Sequence, residues 1–544
     1  MADKKGEDFD VKEQEDQVTE EDFDRIFTRE NDVEQARAER YPWGTPPDKI
    51  DESKITETIE ADVAIIGGGI SGLAVAARCA QYGEKVVVVE KYHGLVARGA
   101  HIATIGSHVQ DELGVHIDKK QFARDWMRIC GSRVNEDLLW LYINKSRDAF
   151  EWLFDMGEGA VDAALCSYYK GPDFTEYPGT HVIFQKPDCH RYKHNGGAIL
   201  YCEMLEKTAL DGGARIDRNT RAKYLEKDDS GRVVSFVAQD KDGNYKRYVG
   251  KKAVVLATGD FGADQEMIRV FNPIGLVPNR NGYQPAGLNT GDGHKMAYWV
   301  GAEYEKHPIA LSMHLIAYSL YSFTFLHVNR EGNRYMNEDT WVQAKAIRTM
   351  MQPKGDWAWS IFDKNWFEDV GRTNDIVGGQ FNEPLVTMYG DTWKEDNGID
   401  KTIERYVKRG ICCKADTLEE LAEQMDVPVD NFLATVKRYN ELYEMGDDVD
   451  YGKRSELLTA IKEPPFYALK FGPALLNFHG GVIIDTKMRV LDSDNKPIPG
   501  LLAVGNVSGG LYGVDYPLLL NGNSHGRAIT WGREAADTIH NGEC

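Results

Sequence analysis

The chain has 544 residues, more than one ordinary hydrophobic core holds, since cores stop growing at about 250–300 residues, so two large units are expected. Apolar residues make up 42% of it, enough for sizeable cores, which excludes a disordered chain. Asp and Glu outnumber Lys and Arg by 86 to 64, and the net charge of -22 excludes a surface built for nucleic-acid phosphates.

The eight cysteines are scattered, and neither a CxxC pair nor a CxxCH haem-attachment motif occurs. That usage fits a reducing compartment and supplies no metal-ligand set. The N-terminal MADKKGEDFD is charged and lacks an apolar signal core. No run of about 18 apolar residues is present, so no membrane span and a cytoplasmic location are expected.

Residues 1–54 are polar and strongly charged, with a helix expected over 33–40 that Pro46 and Pro47 end. They read as a solvated arm, the alternative being an arm that docks on a second subunit of a homo-oligomer. The pattern then changes to ADVAIIGGGISGLAVAARCAQYGEKVVVVEK over 61–91. It predicts a buried strand, a glycine turn, an amphipathic helix and a second buried strand. Helices are expected over 119–130, 136–156 and 196–211. Strands over 232–239 and 246–250 flank DKDGN as a hairpin, and KKAVVLATGDF at 251–261 reads as a further buried strand. Residues 305–470 are aromatic-rich, with helices expected over 418–425 and 431–444. Residues 476–544 return to strand, glycine turn and helix, the last helix opening at about Asn521. The expected fold is α/β: a discontinuous Rossmann-type domain (55–304 and 471–544) with 305–470 inserted as an α+β cap.

Gly67, Gly69 and Gly72 form GxGxxG between a strand and a helix, and Glu90 stands at the tip of the next strand. Each part has a task in holding a dinucleotide. Gly67 permits the tight turn, Gly69 lets the backbone approach a pyrophosphate, and Gly72 lets the helix pack on the strand. The helix N-terminus at Ile70 and Ser71 offers unpaired N–H groups to phosphate. Glu90, with Lys91 beside it, faces the adenosine ribose.

Three more glycine turns, ATGDFG at 257–262, TGDG at 290–293 and GLLAVGNVSGG at 500–510, suit a longer ligand such as FAD. With them the chain resembles the flavoprotein superfamily of fumarate reductases, succinate dehydrogenases and 3-ketosteroid dehydrogenases over residues 60–540. The resemblance implies non-covalent FAD, with residues 99–106 (Gly99 and Ala100 among them) lining flavin and pyrophosphate. It places Thr258 and Gly259 near the adenine and Asp292 near the flavin. Gly505 and Asn506 take the ribityl turn, and Asn521, Asn523 and Ser524 open a helix aimed at the flavin. His101 reads as an ordinary histidine near the cofactor.

The departures from the fumarate reductases bear on substrate. The cap reads NREGNRYMNEDTWVQAKA from Asn329, and Val342 stands where the family's arginine falls. The segment that carries a second arginine reads YGVDYPLLLNGNS, with Tyr516 and Pro517 near that place, and the HTMGG histidine is replaced by Asn477 with His479 two residues on. A buried dicarboxylate needs fixed cations, so a neutral substrate is expected. Tyr516–Pro517 resembles the YP signature of 3-ketosteroid dehydrogenases, although Leu520 replaces a glycine that usually follows. This implies an apolar enone substrate of the 3-oxo steroid or bile-acid type, polarised by Tyr516. Tyr318 and Tyr321, with His314, are the candidate proton carriers, and His307 fixes the start of the cap. With one Rossmann fingerprint, electrons are expected from an external donor or acceptor. The competing readings are a reductase of another unsaturated acid (fumarate, urocanate or cinnamate type), using Arg330, Arg334 or Arg348, and a flavin electron-transfer subunit.

Overall fold

The structure is a computed structural model that describes residues 39–167, 169–172, 175–278, 280–283, 285–315, 323–378, 389 and 399–544. Tyr318, Tyr321 and most of the helix expected over 33–40 lie outside the described residues. The chain divides into two compact units, 1–45 and 46–544. In the first, Tyr41 and Trp43 stack at 5.0 Å. The second begins nine residues before the expected end of the arm. Ile50 N–H donates to the Tyr224 hydroxyl at 2.8 Å and Glu52 pairs with Arg247, so the arm's last residues are tied down.

The second unit starts with β1 (Ile55–Ile66), α1 (Ile70–Gln81) and β2 (Val86–Val89). After α2 (Ala198–Asp211) come β3 (Arg215–Asp217), β4 (Thr220–Lys227), β5 (Val233–Asp240) and β6 (Tyr245–Leu256). Val63 lies between Val86 and Ala253, and the parallel registers run to Ile66, Val89 and Leu256. These segments are buried throughout. A parallel strand covered on both faces reads as a continuous apolar run, which is why the sequence shows no alternation here.

The hairpin strand and the buried strand expected over 246–250 and 251–261 are one continuous element, β6. It pairs parallel with β1 along its whole length, and its polar half also pairs antiparallel with β5 on the other side. Gly250 stands at the change, near a register shift, where a Cβ would lie 2.1 Å from the Ala253 carbonyl oxygen. The turn DKDGN connects β5 to β6 as expected.

Beyond α3 (Asp292–Trp299), β7 (Leu311–Leu315) leads to β8 (Leu326–Val328), α4 (Val342–Met350), β9 (Ala358–Phe362), β10 (Cys412–Ala415), α5 (Leu418–Met425) and α6 (Val429–Met445). β11 (Phe466–Phe471) closes an antiparallel four-stranded sheet in the order β8-β9-β11-β10. Leu421, Met425, Phe432 and Val436 of α5 and α6 pack against Ile361 and Ala468 to form its core. β12 (Pro473–Phe478) pairs with β7. β13 (Arg489–Leu491), β14 (Pro497–Ala503) and α7 (Asn523–His540) complete the chain. The main sheet has eight strands, ordered β13-β14-β6-β1-β2-β3, with the β4–β5 hairpin joined through β6. α7 packs on α1 closely because Gly532 has no side chain: a Cβ there would lie 2.5 Å from that of Ala74. Among the described residues no helix is long and apolar enough to cross a membrane.

The interior of the 305–470 segment is charged as well as apolar. Arg334 bonds Glu338 and Asp448 at 2.8 Å each, and Lys453 lies 3.4 Å from Glu338. Burial opposes the charge on Glu338, yet Lys453 and Arg334 hold its carboxyl far below the usual range.

Candidate functional site

The glycine turn joins β1 to α1. Gly67 has φ of +110°, and a Cβ there would lie 2.2 Å from the Ala257 carbonyl oxygen. A Cβ on Gly72 would lie 2.0 Å from the Gly67 carbonyl oxygen. Gly69 differs: a Cβ would meet nothing within 4 Å, so the turn is open on that side. Gly69 caps α1 without any side-chain hydrogen bond. The first N–H groups, at Ile70 and Ser71, therefore have no intrahelical acceptor and suit an anion. An open backbone face beside uncapped donors is what a dinucleotide pyrophosphate requires, so the turn fits the ADP half of FAD.

Glu90 is buried, and its two carboxylate oxygens accept the N–H groups of Gly68 and Tyr92, each at 2.7 Å. It closes the turn, and each oxygen keeps a lone pair for a ribose hydroxyl. Lys91 Nζ donates to Thr290 Oγ1 at 3.1 Å and pairs with Asp292 at 3.2 Å, while Arg221 bonds the other Asp292 oxygen at 2.8 Å. Burial opposes ionisation of Asp292, but Lys91 and Arg221 bring it down to about 2. Asp292, which the resemblance puts near the flavin, is thus tied to Lys91, the residue after Glu90.

The turn after β6 passes beside Gly67. Thr258 Oγ1 is buried without a partner among the described residues, and a Cβ on Gly293 would lie 2.1 Å from it. Gly259 has φ of +72° and faces the Tyr283 hydroxyl. Asp260, which the sequence reading passed over, is fully buried and accepts Gly262 N–H at 2.7 Å and Asn289 Nδ2 at 2.6 Å. Burial raises its carboxyl to about 7.

Residues 99–103 run past the start of α7. Gly99 accepts Ala198 N–H, Ala100 accepts the Tyr201 hydroxyl, and His101 accepts His525 Nδ1 at 2.7 Å through its carbonyl. Burial lowers the His101 imidazole to about 4, so the ring is neutral. Arg98 lies just before this run and is exposed, with no ion pair among the described residues. Its guanidinium borders Gly282, where a Cβ would lie 2.6 Å from it.

α7 begins at Asn523, two residues later than expected, because Gly522 (φ +84°) forms the turn before it. Asn521 lies in that turn and accepts Thr180 Oγ1 through its carbonyl at 2.9 Å. Asn523 is buried, and its Nδ2 donates to the Pro517 and Leu520 carbonyls at 2.9 and 2.7 Å, so it pins the loop carrying Tyr516. Leu520 is core, packed where a Cβ on Gly179 would collide with it.

Gly505 (φ +74°) lies against Ser71: a Cβ would fall 2.5 Å from Ser71 Oγ. The next residue, Asn506, receives Ser524 Oγ at 3.3 Å, Arg527 at 2.5 Å and His479 Nδ1 at 3.2 Å on its Oδ1. His479 Nε2 meets Ser312 Oγ of β7 at 2.5 Å. The His479 ring stacks on Tyr516 at 4.4 Å. The Tyr516 hydroxyl accepts Ser524 N–H at 3.3 Å, leaving its own proton without an acceptor among the described residues. Burial raises its pKa, so it stays a phenol.

Val342 is the first residue of α4 and is buried. Gln343 beside it reaches the Asp515 carboxylate, which also accepts Tyr516 N–H at 2.8 Å. Burial raises Asp515 to about 6. His314, on β7, is neutral, lowered to about 4 by burial. His307 pairs with Glu305 at 3.2 Å. Of the arginines expected to receive a carboxylate, Arg330 pairs with Asp356 and Arg334 is taken up by Glu338 and Asp448, while Arg348 is exposed. A small cavity behind the loop is lined by Tyr169, Tyr177, Trp341, Leu518 and Leu519, with Glu176.

His479, Asp515 and Arg527 are the residues that sequence reasoning missed as members of one site. Each carries a local signal, a histidine beside a glycine pair, an acid before the YP pair and an arginine just before the apolar stretch of the last helix. Only the fold brings them together.

The profile of the FAD binding domain family matches residues 62–524. A probable fumarate reductase of Shewanella frigidimarina is 28% identical over 90% of this chain and 77% of its own length. A vinyl phenol reductase of Lactiplantibacillus plantarum is 24% identical over 87% of this chain and 95% of its own. Among solved structures, the 3-ketosteroid-Δ4-(5α)-dehydrogenase of Rhodococcus jostii shares the fold, with a TM-score of 0.66, 24% identity and coverage of 90% and 99%.

Proposed function

This chain belongs to the FAD binding domain family, and we propose that it is an oxidoreductase acting on the carbon–carbon bond of a neutral enone, of the 3-oxo steroid or bile-acid type. Bound FAD supplies the hydride chemistry. Gly67, Gly69, Ile70, Ser71, Gly72, Glu90 and Lys91 hold the ADP half. Gly99, Ala100, Thr258, Gly259, Gly505, Asn506 and Ser524 line the rest, and residues 305–470 cap the site.

The observation that carries the reading is the Tyr516 hydroxyl. It accepts one N–H and, among the described residues, has a free proton to donate; it stacks on the His479 ring, and the cation near it, Arg527, is held by Asn506 and the Ser508 carbonyl. A fixed phenol donor stabilises the negative charge that develops on a substrate oxygen as the double bond changes. Asp515, held by Tyr516 N–H and Gln343, delivers or receives the accompanying proton. Electrons enter from, or leave to, an external carrier. The relatives named as reductases of fumarate and vinyl phenol support the reaction class, and the Rhodococcus dehydrogenase, solved with 4-androstene-3,17-dione, supports the substrate type.

An unsaturated acid is the second reading, favoured by the Arg98 guanidinium, which has no acid partner among the described residues. An anaerobic assay with reduced viologen dye decides between them, using 3-oxo-4-ene steroids, fumarate, urocanate and cinnamates. Turnover of fumarate without steroid turnover sinks the first reading. Tyr516→Phe is expected to lower kcat by about 10²–10³ with the first substrate class. An unchanged rate removes the phenol from the mechanism.

A further inference from the structure

Arg527 lies in the second turn of α7 and is fully buried. Its guanidinium donates to Asn506 Oδ1 at 2.5 Å and to the Ser508 carbonyl at 3.4 Å, and it sits 4.7 Å over the Tyr512 ring. Its Nε has no partner among the described residues. Among the described residues no carboxylate forms an ion pair with it. The titratable neighbours are no counter-charge either: burial keeps His479, Tyr512 and Tyr516 neutral. Asp260 meets Asn506 from the other side, but burial raises that carboxyl to about 7 and leaves it only partly ionised.

A buried cation without a counter-ion is costly, and proteins keep such a charge where a ligand or a reaction step offsets it. The position of Arg527 says which. Asn506 follows Gly505, which abuts Ser71 at the start of α1, and Ser524 shares the same Asn506 oxygen. The guanidinium therefore stands one side chain behind the wall of the cleft that fits FAD. It does not open into the cleft, so it is no clamp for a substrate carboxylate.

We propose that Arg527 is a positioning residue for redox potential: a fixed cation that favours the reduced, electron-richer state of the bound flavin. Reduction of a flavin takes up two electrons from the external carrier and one proton, and leaves a net negative charge. A buried positive charge is weakly screened and stabilises that charge at a distance. The inference rests on the flavoenzyme reading but not on the choice of substrate.

The test is a reductive titration of the FAD-loaded full chain against a reference dye, without substrate. Arg527→Gln is expected to lower the equilibrium constant for flavin reduction about tenfold, a fall of about 30 mV for a two-electron couple. Arg527→Lys is expected to keep the potential at neutral pH. A glutamine variant with the wild-type potential overturns the proposal, as does a lysine variant that falls as far as the glutamine one. Should the glutamine variant not load flavin, the lysine variant still decides. A buried lysine loses its proton as pH rises, so its potential must drop below the wild-type line at high pH. A parallel line overturns the proposal. Because no substrate is present, a failed steroid assay leaves this result standing, and an unchanged potential leaves the substrate reading standing.

Discussion

In the glycine cradle, backbone shapes the site. Cβ atoms at Gly67 and Gly72 would collide with main-chain oxygens at 2.2 and 2.0 Å, and the donors offered are N–H groups of one helix turn. At the Tyr516 face, side chains do the shaping. Tyr516, His479, Asn506, Ser312 and Gln343 come from separate segments and hold one another through hydrogen bonds and ring stacking. A backbone cradle tolerates little change and recognises what all dinucleotides share. A face of side chains can change its chemistry residue by residue, as Val342 and Tyr516 do, without disturbing the strands beneath.

The sharpest way to break this contrast is Gly72→Val. With the Gly67 carbonyl oxygen only 2.0 Å from any Cβ, α1 has to move off β1. The variant is expected to purify without flavin, seen as loss of the visible absorbance band, with a lower unfolding temperature. Tight, yellow Gly72→Val protein would mean that packing at this turn is looser than its geometry.

The next largest effect is on the other side. Asp515→Asn leaves the Tyr516 N–H bond an acceptor but removes the titrating proton. If Asp515 is the acid in the reductive direction, wild-type kcat falls as pH rises above about 6, where the carboxyl ionises. Asp515→Asn should be slow at every pH and lose that limb. The sign for stability follows from the same shift. A carboxyl raised above its unfolded value destabilises the fold as pH rises through the interval between them, and the amide removes that slope.

The difference in kind explains what could be read in advance. The apolar runs of β1, β2 and the second half of β6, the GxGxxG spacing and Glu90 are local patterns, so fold and cofactor were legible. The union of 246–250 and 251–256 into β6 was not, because Gly250 and the change from polar to apolar residues mimic a boundary. The pairing of Asp292 with Lys91 and Arg221 was not legible either, because those residues are far away in sequence. The link between Arg527 and His479 was not legible either: each has a local signal, but they meet through Asn506, 21 and 27 residues away along the chain.

A smaller effect separates folding from chemistry in the 305–470 segment. Lys345 is fully buried; among the described residues its Nζ has no hydrogen-bond partner, and the Phe323 ring lies 4.6 Å away. Burial, against the pull of Glu338, drives its pKa well down. The unfolded chain therefore binds a proton that the folded one lacks, and this group's contribution to stability rises with pH up to about 10.4. Lys345→Met is expected to stabilise the protein by about 1–3 kcal/mol at pH 7 and to flatten that rise. Urea titrations at pH 7 and 9 measure both, and a less stable methionine variant would show that the amine is paired in solution.

The smallest expected change tests the cradle at its one open point. Gly69→Ala adds a methyl group where no described residue lies within 4 Å, and Gly69 has φ of -81°, which alanine adopts freely. The fold should be unaffected, with an unfolding temperature for the flavin-free protein within about 2 °C of wild type. The methyl group does occupy the side from which a pyrophosphate approaches Ile70 and Ser71. FAD affinity is therefore expected to fall about tenfold, or 1.4 kcal/mol, by fluorescence titration of the flavin-free protein. Equal affinity would move the phosphates away from Gly69, and the assignment of the open side of the turn would then fail while Gly67 and Gly72 kept their structural parts.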